Sequence, residues 1–246
     1  MVSEKVVLVG VIVFIVVGIV AAGIFILGPG SVVKSATGSA IIDVAPMQMI
    51  GNFYQYSDEP AGKDGKTRVL FIGAEFCPYC AAERWAIVES LERFGSFSEL
   101  QPTKSAQHSG DLSELPSYYF VGIDYQSDQV LLEHKETADR DYNELETLTA
   151  EEQDLFNQYN PRGSIPFLMI SGSKGIFVQV GSGYSPGVLS GLSFSDVEAS
   201  LSNTDRQPGQ AINREANIIT ALICHNGAQS SACNSQNIQD LLLMFP

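Results

Sequence analysis

The feature that most constrains this chain is residues 67–95, TRVLFIGAEFCPYCAAERWAIVESLERFG, which join a short apolar strand to a helix through two cysteines three positions apart. The run Val69–Ile72 is β-prone and is bounded by a charged stretch before it and Gly73 after it. Pro78 suits a first helical position, where its missing N–H costs nothing. Ala81, Trp85 and Val88 then recur at i, i+4 and i+7 as one apolar face. Glu89 and Arg93 are spaced as a favourable i, i+4 pair on the other side, and Gly95 predicts the stop. Cys77 therefore falls at a helix N-terminus, with Cys80 one turn further in.

That placement has a chemical consequence. Unpaired N–H groups and the positive end of the helix dipole stabilise an anion there, so the Cys77 thiol is expected to have a lowered pKa and to be nucleophilic. Cys80, less exposed, is placed to attack a mixed disulfide formed on Cys77, which makes a two-step thiol–disulfide exchange. Two other readings stand beside this one. Zinc ribbons use the same spacing but need a second ligand pair like it, and the remaining cysteines, Cys224 and Cys233, are nine positions apart. His108, His134 and His225 are scattered and no HExxH motif occurs, so no metal is expected. Inert buried thiols are the other alternative, although such cysteines are seldom set at a helix N-terminus beside a proline.

From Val6 to Leu27 run 22 residues without a charge or a strongly polar group. As a helix they would span roughly 33 Å, enough for a bilayer core. Signal peptides have a shorter apolar core of about 7–15 residues, so residues 1–28 read as an uncleaved membrane anchor, with a cleaved signal segment as the alternative. Lys5 before the run and Lys34 after it slightly favour the N-terminus inside and the body outside. Four cysteines, an even number, agree with an oxidising compartment. The formal charge of −14, from 28 acids and 14 bases, excludes nucleic acid as a partner, because no basic cluster exists to meet phosphate.

Residues 29–66 read as a linker and docking segment around the apolar stretch Ile41–Ile50, and 67–246 as one domain with an insertion at about 96–162. Within it, SYYFVGIDY (117–125) is a predicted strand, and 126–145 is polar and irregular. Thr149–Glu152 form a capping box that opens a helix through Leu155, Phe156 and Tyr159, ended by Pro161. Residues 164–180 read as a hairpin turning at Gly172–Gly175. A second capping box is expected at Ser195–Glu198, and Ile212, Ala216, Ile219 and Ile223 recur at helical spacing. This alternation implies α/β architecture, a central mixed sheet flanked by helices. Cys224 and Cys233 are expected to form a structural disulfide pinning the C-terminal helix, contributing on the order of 2–3 kcal/mol; a shuttle pair exchanging with Cys77 and Cys80 is the sharper alternative. His225 reads as a dipole partner at a helix C-terminus.

The stretch AEFCPYC after an apolar strand, with SIPF leading into a hairpin, resembles the thioredoxin-fold thiol–disulfide oxidoreductases. The longer stretches FIGAEFCPYCAAERWAIVESLERFG, GSIPF and SGLSFSDVEASL, with the late cysteine pair, are similar to an uncharacterised prokaryotic thioredoxin-like family that often carries an N-terminal membrane segment, over roughly residues 45–235. The resemblance implies a thioredoxin-like fold with a helical insertion and an N-terminal transmembrane helix. It implies Cys77 as attacking and Cys80 as resolving cysteine, and Pro166 as a cis-proline facing them. Ile165 is then the residue whose backbone pairs with substrate, and Glu75, Pro78 and Tyr79 are neighbours of the site. It further implies no cofactor beyond the redox-active Cys77–Cys80 disulfide, and cysteine-containing proteins and a recycling redox partner as partners. The expected location is a single-pass protein of the cell membrane with its catalytic domain extracytoplasmic.

The sequence departs from thioredoxin at Phe71, where that family has a buried acid six residues before the first cysteine. Glu75 nearby reads as a surface charge on a solvated turn. Pro166 lies 86 positions after Cys80, which leaves room for the insertion. Trp85 reads as core, although it and Tyr79 are also candidates for substrate contact. Two further functions remain open: a binding or assembly module with a permanent Cys77–Cys80 disulfide, and a copper-handling protein, whose thioredoxin-like relatives use a CxxxC spacing this chain lacks.

Overall fold

The computed structural model describes residues 48–108, 110–203 and 205–245, together with strands β1 (Val32–Lys34) and β2 (Ala40–Ile42). β1 and β2 pair antiparallel within a unit spanning 1–45, separate from the compact unit 46–246. The expected anchor at 6–27 lies outside the described residues; among those described, no helix is long and apolar enough to cross a membrane.

The larger unit is a mixed α/β structure. Its elements in order are β3 (Gln48–Ile50), β4 (Phe53–Ser57), β5 (Thr67–Gly73), α1 (Pro78–Leu91), β6 (Ser96–Ser98), β7 (Gln101–Lys104), β8 (Pro116–Tyr119), β9 (Asp124–Gln126) and β10 (Val130–Glu136). They are followed by α2 (Ala150–Tyr159), β11 (Phe167–Gly172), β12 (Gly175–Val180), α3 (Phe194–Ser200), α4 (Gly209–His225) and α5 (Gln236–Leu242). Six strands form the central sheet in the order β10-β5-β11-β12-β4-β3. β5 is buried along its whole length, with β10 parallel on one side and β11 antiparallel on the other. An unbroken apolar run is what a strand covered on both faces requires.

The expected hairpin is β11–β12, with Ser173 and Lys174 as its two-residue loop. Gly175 has φ +113°, and a Cβ there would stand 1.8 Å from the Ser57 carbonyl oxygen, so only glycine fits. The Thr149 capping box forms as predicted, each partner satisfying the other's free N–H.

Other elements differ from their sequence reading. The segment before Thr67 contributes β3 and β4 to the sheet edge. SYYFVGIDY is not one strand: it breaks near Gly122, which has φ +72°, into β8 and β9, each paired in a small two-stranded sheet with β7 and β6. The stretch 126–145 is not irregular throughout but holds β10, a sheet edge. Its polar residues misled because their partners are distant: Glu133 pairs with Lys63 and Arg68, and Glu136 with Arg84.

Helix α3 is capped by Ser193, with Asp196 at the third position, two residues ahead of the expected Ser195–Glu198 box. Helix α1 is buried from Cys80 to Val88 rather than on one face. It packs along α4, while Trp85 is covered by Tyr118 and Phe194, with ring centroids 4.5 and 4.7 Å away. Trp85 is core, as read, and its indole N–H donates to the Pro116 carbonyl at 2.9 Å. Arg93 keeps the expected favourable charge interaction with Glu89, and it also donates to Asn217 Oδ1 and Thr220 Oγ1 of α4, both at 2.8 Å.

Candidate functional site

Strand β5 delivers the chain into the turn Ala74–Phe76, and Cys77 is the N-cap of α1 with extended backbone (φ −78°, ψ 121°) and Pro78 at the first turn. Its Sγ accepts the backbone N–H of Cys80 at 3.2 Å. A sulfur thus takes the role an Asp or Ser oxygen takes at other helix starts, meeting an orphan donor. Both cysteines are free thiols, Cys77 5% and Cys80 0% exposed. Gly73 makes room for the inner one: a Cβ there would crowd the Phe71 ring at 2.5 Å and lie 3.3 Å from Cys80 Sγ.

The two thiols are pushed apart in acidity. Hydrogen bonding from Cys80, first through its side chain and then through its backbone N–H, holds Cys77 below the ordinary thiol range against the cost of burial, with Arg84 adding a favourable charge. Burial drives Cys80 well above that range, and the neighbouring Cys77 adds to the rise. The outer sulfur is therefore the better thiolate and the inner one retains its proton.

Facing Cys77 is the loop before β11. The Ile165–Pro166 peptide bond is cis, and the Ile165 carbonyl oxygen lies 3.9 Å from Cys77 Sγ. Asn160 braces this loop, donating to the Ser164 carbonyl at 2.7 Å and accepting the Ser164 N–H at 3.2 Å. From the far side, Gly181 N–H donates to the Pro166 carbonyl at 2.8 Å. Tyr79 is the exposed neighbour, 46% accessible.

Glu75 is not the surface charge its turn suggested. It is 7% exposed, because its N–H is tied to the Ala138 carbonyl at 2.9 Å and the segment after β10 covers it. One carboxyl oxygen has no hydrogen-bond partner among the described residues. Burial, followed by the charge of Glu136, raises its pKa.

Beneath the cysteines lies an ion pair that sequence reasoning missed. Arg84, four residues after Cys80, is buried and grips Glu136 of β10 with Nε at 2.8 Å and Nη2 at 2.7 Å. It also donates to the Ala74 carbonyl at 3.0 Å and Ser117 Oγ at 3.3 Å. Its guanidinium carbon stands 5.8 Å from the centroids of both Phe71 and Phe120. The cation favours thiolate at both cysteines, while Glu136 acts against it at Cys80. The i+4 spacing from Cys80 was the available signal; a charged helix residue ordinarily reads as a solvated face. His108, isolated in the sequence, brings Nε2 to 3.0 Å from the carbonyl oxygen of Phe76, the residue before Cys77.

A pair of buried acids, Glu83 of α1 and Glu215 of α4, lies between these two helices. Glu83 accepts from Gln179 Nε2 at 3.0 Å and from Gly183 N–H at 2.8 Å. Burial raises its carboxyl, and the nearby Glu215 raises it further; Glu215 is itself pushed up to about 7 by burial.

Cys224 and Cys233 form a disulfide, with Cα atoms 5.8 Å apart. It lies next to Asn226, whose carbonyl accepts from Thr67 Oγ1 and from Ser173. That is the start of β5, whereas Cys77 follows its end. Seven strand residues, roughly 20 Å, therefore separate the two cysteine pairs, too far for direct exchange between them within one molecule. His225 stands in the last turn of α4, as expected; it stacks on Phe245 at 4.2 Å, and burial, followed by the charge of Lys174, lowers its pKa. Among the described residues no group of three or more His, Cys, Asp or Glu side chains is placed to hold a metal ion.

The profile of one protein family, described as a domain of unknown function (DUF929), matches residues 52–225. The matched span includes Cys77, Cys80, Pro166 and Cys224 and stops short of Cys233. No curated protein and no solved structure matches the chain.

Proposed function

We propose that this chain, which belongs to the DUF929 family, is a thiol–disulfide oxidoreductase of thioredoxin-like fold that exchanges disulfides with cysteine-containing proteins. The observation that carries this reading is Cys77 itself: a sulfur capping a helix, accepting the Cys80 N–H at 3.2 Å, opposite the carbonyl of a residue preceding a cis-proline. The mixed sheet with β5 at its heart and α1 springing from its end supports the fold.

In the reducing direction, the Cys77 thiolate attacks one sulfur of a partner disulfide. The partner's S–S bond breaks, a Cys77–partner bond forms, and the released partner thiolate takes a proton from solvent. Cys80 then attacks Cys77 Sγ: the Cys77–partner bond breaks, the Cys77–Cys80 disulfide closes, and the proton that leaves Cys80 passes through solvent to the departing partner sulfur, which is released as the second thiol. Two electrons pass to the partner, and the reverse sequence returns them. Arg84 stabilises the thiolate formed at Cys80, while the charge of Glu136 favours the protonated thiol before the attack. No organic cofactor is required, only a redox partner that resets the pair. Ile165 offers its backbone to the partner chain. The apolar run 6–27 would hold the protein in the membrane, with this domain on the extracytoplasmic side.

Equilibrating the full chain against thiol buffers, with Cys224 and Cys233 followed separately, tests the proposal. A single two-electron transition at Cys77–Cys80, within the roughly −270 to −120 mV range of such centres, is the expected result. A pair that never equilibrates would make the chain a binding module instead.

A further inference from the structure

Beside Cys77 opens a cavity of about 580 Å³. Apolar side chains of Phe76, Leu148, Phe156 and Ile165 line it, together with the carboxylate-bearing residues Glu144 and Glu146. Phe76 immediately precedes Cys77, and the Ile165 carbonyl lies 3.9 Å from its sulfur, so two residues that adjoin the thiol also line the cavity.

The segment 137–154, between β10 and the body of α2, supplies the acidic part of the lining. It carries seven acids and one base, Arg140. Several of these charges are already engaged. Glu151 pairs with Lys63 and Arg68, Glu152 completes the Thr149 capping box, Asp139 binds its own loop, and Glu146 accepts the Glu136 N–H at 2.7 Å. Glu144 is exposed and makes no ion pair among the described residues. The cavity thus joins an apolar lining to a negative charge that pairs with no cation among the described residues.

We propose that this cavity is the partner-binding groove and selects an extended cysteine-containing segment with an apolar residue beside the cysteine and a lysine or arginine flanking it. The proposal rests on the redox reading above. The apolar lining takes the neighbouring side chain out of water, and Glu144 attracts the flanking cation while disfavouring an acidic flank. The chain's overall charge of −14 acts in the same sense at longer range.

The test uses the full-length reduced protein and four disulfides: peptides with Leu-Cys-Lys, Leu-Cys-Glu and Gly-Cys-Gly cores, and neutral hydroxyethyl disulfide as a probe too small to need the groove. At low ionic strength the Leu-Cys-Lys peptide is expected to react about tenfold faster than Leu-Cys-Glu and faster than Gly-Cys-Gly. The gap between the charged peptides should close at about 0.5 M salt. In Glu144→Lys, an exposed position, the preference should reverse. Equal rates for all three peptides, with hydroxyethyl disulfide still reacting, would overturn the groove and leave the redox function standing. Failure of hydroxyethyl disulfide to react would overturn the redox reading, and the groove with it.

Discussion

Cys77 and Cys80 are three residues apart and yet chemically unlike, because one caps a helix and the other is enclosed by the core. Cys77→Ser should abolish exchange, whereas Cys80→Ser should leave partners trapped as mixed disulfides on Cys77, visible by mass spectrometry under non-reducing conditions. Arg84 ties this asymmetry to stability. Arg84→Met alone strands the Glu136 carboxylate in the core and should cost about 3–5 kcal/mol in chemical denaturation. The double variant Arg84→Met, Glu136→Met should recover most of that loss, but its Cys77 thiol should titrate at a higher pH than in the wild type, followed by thiolate absorbance. At this scale the cysteines, Pro78 and Pro166 were legible in sequence, because their signals are local. Arg84, Glu136 and the burial of Glu75 were not, because each depends on a neighbour brought in by the fold.

The helices followed their sequence signals most closely where caps are explicit. Thr149→Ala should lower stability by about 1 kcal/mol through loss of the N-cap of α2, measured by urea unfolding. The Ser193 box was misplaced by two residues because the sequence holds overlapping candidates, and only the reciprocal bonds of Ser193 and Asp196 decide between them. Strand β10 was missed for a different reason: its register against β5 sets Glu136 opposite Gly73, and its charges are satisfied from elsewhere in the chain. The C-terminal disulfide belongs to this scale as well. The double variant Cys224→Ser, Cys233→Ser should lose about 2–3 kcal/mol, while the potential of the Cys77–Cys80 pair stays unchanged, since the two pairs lie at opposite ends of β5.

For the whole molecule, the buried acids set the response to pH. Glu83 and Glu215 have carboxyls raised above their unfolded values. A raised acid contributes stability that is fully present below the unfolded pKa, near 4.5, and is lost as pH rises through the folded value, about 7 for Glu215. The lowered carboxyls of Asp139, Glu151 and Asp196 act in the opposite sense, but they are surface groups that titrate below that window. The lowered imidazole of His225 opposes the fall within that window, but it is one half-buried group against two buried acids, so stability should fall between about pH 4 and pH 8, by on the order of 2–3 kcal/mol, and Glu215→Gln should flatten the profile. A profile flat in the wild type would show that the pair is not neutral in the folded protein. The sequence by itself determined the cysteines at a helix start, the β11–β12 hairpin and the principal helices, because each is written in spacings of a few residues. Only the tertiary structure decided what lies under and beside the thiols. Parallel pairing of β10 with β5 joins Arg84 to Glu136 across 52 residues, the loop before β11 brings Ile165 to Cys77 across 88, and the length of β5 keeps the second cysteine pair out of reach.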